Sequence, residues 1–192
     1  MSGDFLRVSP KIRVLPIVHG SGDCAVEVRR VMLSEQFDCL AVPLPASFQH
    51  DVEAAIEYLP TVSVVLQRES LPSGASAWRP EADETDSDPD EHWASYVPID
   101  PCQGVIAGLR IAIGEHMHRA FIDLETEDFV EQNAVLPDPY ALKQVPLDKF
   151  AAGILPAIGR PRQDQVCDRI TAMAARLRKL ERRFDSILLI CS

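Results

Sequence analysis

Apolar and polar positions alternate along this chain with two periods that trade places. Ile12 to Val18 is a short apolar run with the look of a strand, interrupted at Pro16, which has no N–H to give a ladder and so belongs at a strand end, a bulge or an edge. A helix follows, opening near Ser21 or Asp23, both good N-caps, with Val28, Val31, Met32 and Glu35 on one face. Phe37 to Leu44 is a continuous apolar run, the pattern of a strand buried on both faces, closed by Pro43 and Pro45. Ser47 is placed to cap a second helix with Phe48, Val52, Ala55, Ile56 and Leu59 on its apolar face, ended by Pro60, and the β-branched run Thr61 to Gln67 reads as a third strand.

Periodicity is lost over residues 69–93, which read as a long surface loop. Order returns with the extended segment Ala94 to Ile99. Asp100-Pro101 then reads as a helix start, and Cys102, Ile106, Leu109, Ile113 and Met117 recur at helical spacing. Arg119 to Leu124 is the next strand. Residues 126–145 are a mixed connection, and Leu147 to Ile158 a helix interrupted by Pro156. The longest amphipathic signal, Val166, Ile170, Met173, Leu177, Leu180 and Phe184, leads into a buried-type strand from Asp185 to Ser192. Phe184-Asp185 before that strand echoes Phe37-Asp38 before the second, as if one helix-to-strand connection were used twice. Helices alternating with strands predict an α/β domain: a largely parallel sheet with helices on both faces, its strand order open. The last strand delivers nothing at its carboxyl end, so the expectation is the N-terminal part of a longer protein whose unpaired sheet edge invites an oligomer.

Composition narrows the class. The 192 residues are 46% hydrophobic and 25% charged, a globular balance. The net charge of −10 argues against a nucleic-acid or anionic-membrane surface, although seven of the acids lie in the run 81–92. No apolar stretch reaches the ~18 residues of a membrane span, and no signal peptide is visible, so the cytoplasm is the expected location. Five cysteines without a CxxC pair read as free thiols, most of them buried.

The candidate chemistry gathers where the first strand turns into the first helix, because strand-to-helix turns lie at the carboxyl edge of an α/β sheet, where ligand sites collect. His19 and Asp23 flank Gly20, Ser21 and Gly22 there. A flexible turn presenting an imidazole and a carboxylate can serve a divalent metal, with His19 as ligand, or a general base; it can also be a turn held by its own hydrogen bonds. Gly20-Ser21-Gly22 could cradle a phosphate at a helix N-terminus, without the lysine or full glycine spacing of the established nucleotide motifs. Asp123 ends an apolar strand and can point into a site or cap the next turn. His116 and His118 read as helix-end residues.

The segment from His19 to Arg30, the helix after it and Phe37-Asp-Cys-Leu-Ala-Val resemble the opening of the TraB, Tiki, erythromycin-esterase-like and ChaN superfamily. There a strand ends in a His, a helix follows, and a second strand carries a Glu. Ala107 to Asp123 resembles the middle segment, and Ile170 to Leu177 with Ile187 to Ile190 the helix and strand before the second His. The resemblance implies an α/β fold and metal-dependent or His/Glu-based hydrolysis, and carries over His19 and Asp123; with Asp23 from the turn, an active domain would use His19 as base or ligand and Asp23 and Asp123 as supporting carboxylates to hydrolyse an ester or peptide-like bond in a small-molecule or peptide substrate. The sequence departs from the family at Pro16, where a Gly would precede the His, at Pro43, where the Glu would stand, and at Leu124, where an Arg often follows the Asp. Those departures keep a second reading open: a binding or scaffold domain that retains the fold without the site.

Overall fold

The computed structural model describes residues 6–68, 94–126, 136–156, 158–161 and 163–192. The acidic run of 81–92 lies outside them, as does the rest of the segment read as a loop. Strands β1 (Ile12–Pro16), β2 (Cys39–Pro45), β5 (His118–Asp123) and β6 (Ile187–Cys191) form one parallel sheet in the order β1-β6-β2-β5. Between them run helices α1 (Gly22–Ser34), α2 (Gln49–Ile56), α3 (Gly104–Gly114), α4 (Leu147–Ile154) and α5 (Asp164–Glu181). The α/β class and parallel sheet expected from the alternation are both present.

Crossover handedness accounts for the layers. The chain steps in one direction from β1 to β2 and on to β5, then reverses to reach β6. Right-handed connections put the helices of the forward steps on one face and α5, the helix that leads back to β6, on the other; α4, earlier in that connection, joins the first face through Leu147 and Ala151. Accordingly α1 and α3 cover one face, where Val28, Val31, Ile106 and Leu109 pack on Leu15, Leu40, Leu188 and Ile190. Helix α5 covers the opposite face, with Leu177 and Leu180 against Ile12, Cys39, Ala41, Ile187 and Leu189. Residues 39–42 of β2 are all buried, as their unbroken apolarity requires. The closest approach is at Gly108, where a Cβ would stand 2.5 Å from Ile190 Cδ1. Only a glycine lets α3 settle so near β6.

The final strand, whose place the sequence leaves open, is not a sheet edge. It lies between β1 and β2, and its start is fixed by the Phe-Asp echo: Asp38 Oδ2 accepts from the N–H groups of Asp185 (3.1 Å) and Ser186 (2.9 Å), setting Cys39 opposite Ile187. Lys11 Nζ closes this end, 2.7 Å from Asp185 and within 3.3 Å of the carbonyls of Glu181 and Phe184.

Several boundaries move for physical reasons. Strand β2 runs through Pro43 to Pro45 because its pairing with β6 ends at Ala41, leaving only the β5 side, where the register shifts between Val42 and Pro45. The third strand, β3 (Ser63–Arg68), leaves the parallel sheet to pair antiparallel with β4 (Ala94–Ile99). Asp100 does not cap α3. Its carboxylate accepts from Cys102 N–H at 2.7 Å in a turn, and the helix starts at Gly104 after Gln103. That shift takes Cys102 off the buried face, and it is exposed, as is Cys167; Cys24 and Cys39 are buried and all five thiols are free. Burial pushes the Cys39 thiol up to about 12 and the Cys191 thiol to about 11. His116 terminates α3 in the left-handed region (φ 53°), a helix-end role as expected, and His118 stacks on Phe184 at 4.8 Å. No helix of the described residues is long and apolar enough to cross a membrane.

Candidate functional site

The turn from β1 into α1 is assembled from three parts of the chain. After Pro16, the N–H of Ile17 still donates to Cys191 (2.8 Å), which carries the backbone to the carboxyl edge of the sheet. Ser21 then caps α1, its hydroxyl accepting from Cys24 N–H at 3.2 Å. Gly20 sits at φ 71°, a left-handed conformation suited to glycine, and its N–H donates to Gln103 Oε1 at 2.9 Å. Cys102 lies on the same side, its Sγ 3.7 Å from where a Cβ on Gly22 would be. The leader of α3 thus closes over the glycines of the turn. The 3₁₀ turn Pro139–Lys143 brings Lys143 Nζ to 3.8 Å from Asp23, and that ammonium also lies over the Tyr140 ring at 4.1 Å.

These bonds decide what the turn can do. The Ser21 hydroxyl and the Gly20 N–H, two groups a phosphate cradle would use, are engaged within the chain. His19 is open to solvent at its surface, yet enough protein surrounds the ring that desolvation lowers its pKa below the ordinary histidine value. The neutral imidazole therefore predominates at pH 7, the form that can accept a proton or bind a metal. Asp23 is the acid nearest in sequence, already beside a lysine.

Asp123 is at the same edge of the sheet but at its other side. Strands β1 and β5 are separated by β6 and β2, and three inter-strand spacings amount to about 14 Å. Its carboxylate is 2% exposed and is gripped by Arg169 of α5, with Nε 3.0 Å from Oδ1 and Nη2 2.5 Å from Oδ2. Leu124 N–H adds a third bond at 2.8 Å, and Arg176 donates to the Asp123 carbonyl. Asp123 thus ties α5 to the end of β5. Arg176 of the same helix belongs to this tie.

The carboxyl ends of the adjacent strands β2 and β5 form a further place at the same edge of the sheet. In such sheets ligands favour that edge. This place is bridged: Glu125 accepts from the Ser47 N–H (3.0 Å) and hydroxyl (2.8 Å), and Ser47 Oγ is 3.0 Å from Gln67 Oε1. Ser47, expected as a helix cap, serves this bridge instead. A separate open groove of about 410 Å³ lies along α4, lined by Lys149, Phe150, Ile154 and Ile158 among others, and none of the candidate residues lines it.

The fit of a divalent metal can be judged from the donors. Zinc sites take three or four side chains, and no group of three His, Cys, Asp or Glu residues converges among the described residues. His19 and Asp23 provide at most two donors on one turn. Sequence reasoning missed Cys102, Gln103, Lys143 and Arg169. Each reaches its partner across many residues of chain, and no spacing pattern announces it. No protein-family model, curated protein or solved structure matches this chain.

Proposed function

We propose that this domain works by binding rather than catalysis, as a binding or scaffold unit that keeps the framework of the TraB and erythromycin-esterase-like type. The observation that supports this reading is Asp123: the carboxylate a hydrolase would need is spent on Arg169, about 14 Å across the sheet from the strand that carries His19. Pro43 stands where the family's Glu would supply a base or ligand, and β2 passes through that position as backbone. A second reading, hydrolysis of an ester or peptide-like bond, draws on His19 alone, whose lowered pKa keeps it in the basic form at the carboxyl edge. In that reading His19 is base or ligand and Asp23 its supporting carboxylate.

Calorimetric titration with zinc and with manganese, on the wild type and on His19→Ala, separates the two when ester and peptide hydrolysis are assayed on the same samples. Binding without catalysis predicts no metal uptake that depends on His19 and the same background hydrolysis in both proteins. Saturable metal binding lost in His19→Ala, together with turnover lost in the same variant, would overturn it and establish the hydrolase.

A further inference from the structure

The antiparallel pair β3–β4 carries an apolar face that nothing in the described chain covers. Val64 is opposite Pro98 and Leu66 opposite Tyr96. The pleat turns Val65, Val97 and Ile99 inward, where all are buried with Val52 and Ile56 of α2. It turns Val64, Leu66, Tyr96 and Pro98 outward, and Val62 continues the same alternation one step earlier. Leu66 is 63% exposed and Tyr96 68%. The uncovered side-chain area is on the order of 500 Å², the size at which a patch on a monomer is commonly functional.

The main sheet contrasts with this pair. Both its faces are covered, the free side of β1 meets the Leu6–Arg7 segment, and the Gln49 side chain reaches the Arg119 carbonyl on β5. The exposed face of β3–β4 is thus the exception among the described sheet surfaces.

We infer that this face is the contact between two copies of the chain, packed sheet on sheet about a two-fold axis. Area favours a second copy: two such faces would bury about 1,000 Å², the smallest burial at which a specific interface stands clear of chance contacts. A peptide added along one strand edge would leave the face bare. Symmetry favours it as well, because each half of the patch pairs a branched aliphatic residue with a ring, Val64 with Pro98 and Leu66 with Tyr96. An isologous contact can therefore lay Tyr96 of one copy over the aliphatic row of the other. Charge gives the third argument. The chain carries −10 overall, and the outward positions 62, 64, 66, 96 and 98 carry no charge, so the contact itself buries no like charges. Association of that kind tightens as salt screens the like charges, whereas docking of a basic partner would weaken.

Sedimentation equilibrium of the full chain tests this over a range of concentrations at low and high salt. The expected result is a reversible monomer–dimer equilibrium in the micromolar range, tightened by salt. Leu66→Glu and Tyr96→Lys should each weaken it by about tenfold or more. Val8→Glu, an exposed apolar position outside this pair, should leave it unchanged. Both substitutions fall on side chains exposed in the monomer, so unchanged thermal melts would show that the fold survives. A monomer at every concentration would overturn the inference, as would a dimer indifferent to both substitutions.

Discussion

Asp123 shows how one residue can look catalytic and serve the frame. Its place at a strand end is plain in the sequence, but its partner Arg169 is 46 residues downstream on another element, α5. Truncating the buried member of an ion pair removes its hydrogen bonds and the charge that balances the guanidinium there. Asp123→Ala should therefore cost about 3 kcal/mol, read as a lowered denaturation midpoint, with α5 loosening first in hydrogen exchange. A change in that variant confined to a ligand-binding assay, with the midpoint intact, would contradict the structural role. The histidines give a pH signature. Desolvation, with Arg183 and Arg119 nearby, holds His118 below its ordinary pKa, and desolvation alone does so for His19. The unfolded chain then takes up protons first as pH falls through about 6.5, so stability is full above that value and declines below it. His118→Gln should show a shallower loss between about pH 7 and about pH 5.5 in chemical denaturation than the wild type.

At the scale of elements, what was legible was local. Ser21 was readable as an N-cap and Pro16 as a strand end because each acts through its immediate neighbours. The sidedness of α3 was readable from Ile106 and Leu109, but not its first residue: Asp100 and Pro101 are as good a turn as a helix start, and Gln103 is committed to Gly20 on another element. The departure of β3 from the parallel sheet was hidden for a similar reason. Its alternation suits either sheet, and its partner β4 is set by long-range pairing. Of the candidate site, the address of His19 was legible and its surroundings were not. Gly108 carried no periodic signal at all. Gly108→Ala gains about 1 kcal/mol of helix propensity but must displace Ile190, which Val28 and Leu40 also confine. Overpacking costs of about 1–3 kcal/mol should prevail, giving a net loss of stability by thermal melting. A more stable variant would mean that α3 can shift away from β6.

For the whole molecule, the decisive feature is strand order. Residues 187–191 pair with β1 on one side and with β2 on the other, and their side chains enter both hydrophobic layers. Deleting 186–192 should abolish cooperative unfolding, where loss of an edge strand would merely weaken it; circular dichroism melts of the shortened chain are the check. The same order governs how the protein can form as it is made. A ribosome releases β1 and β2 long before the strand that separates them, and although β2 can already pair with β5, the place between β1 and β2 stays unfilled until α5 has emerged. The early chain must therefore either hold β1 and β2 about 10 Å apart, a slot one strand wide, or pair β1 with β2 and later part them. Nascent lengths that stop short of Ile187 would then be the ones that most need a chaperone, and the native sheet would close from its middle only once β6 has emerged.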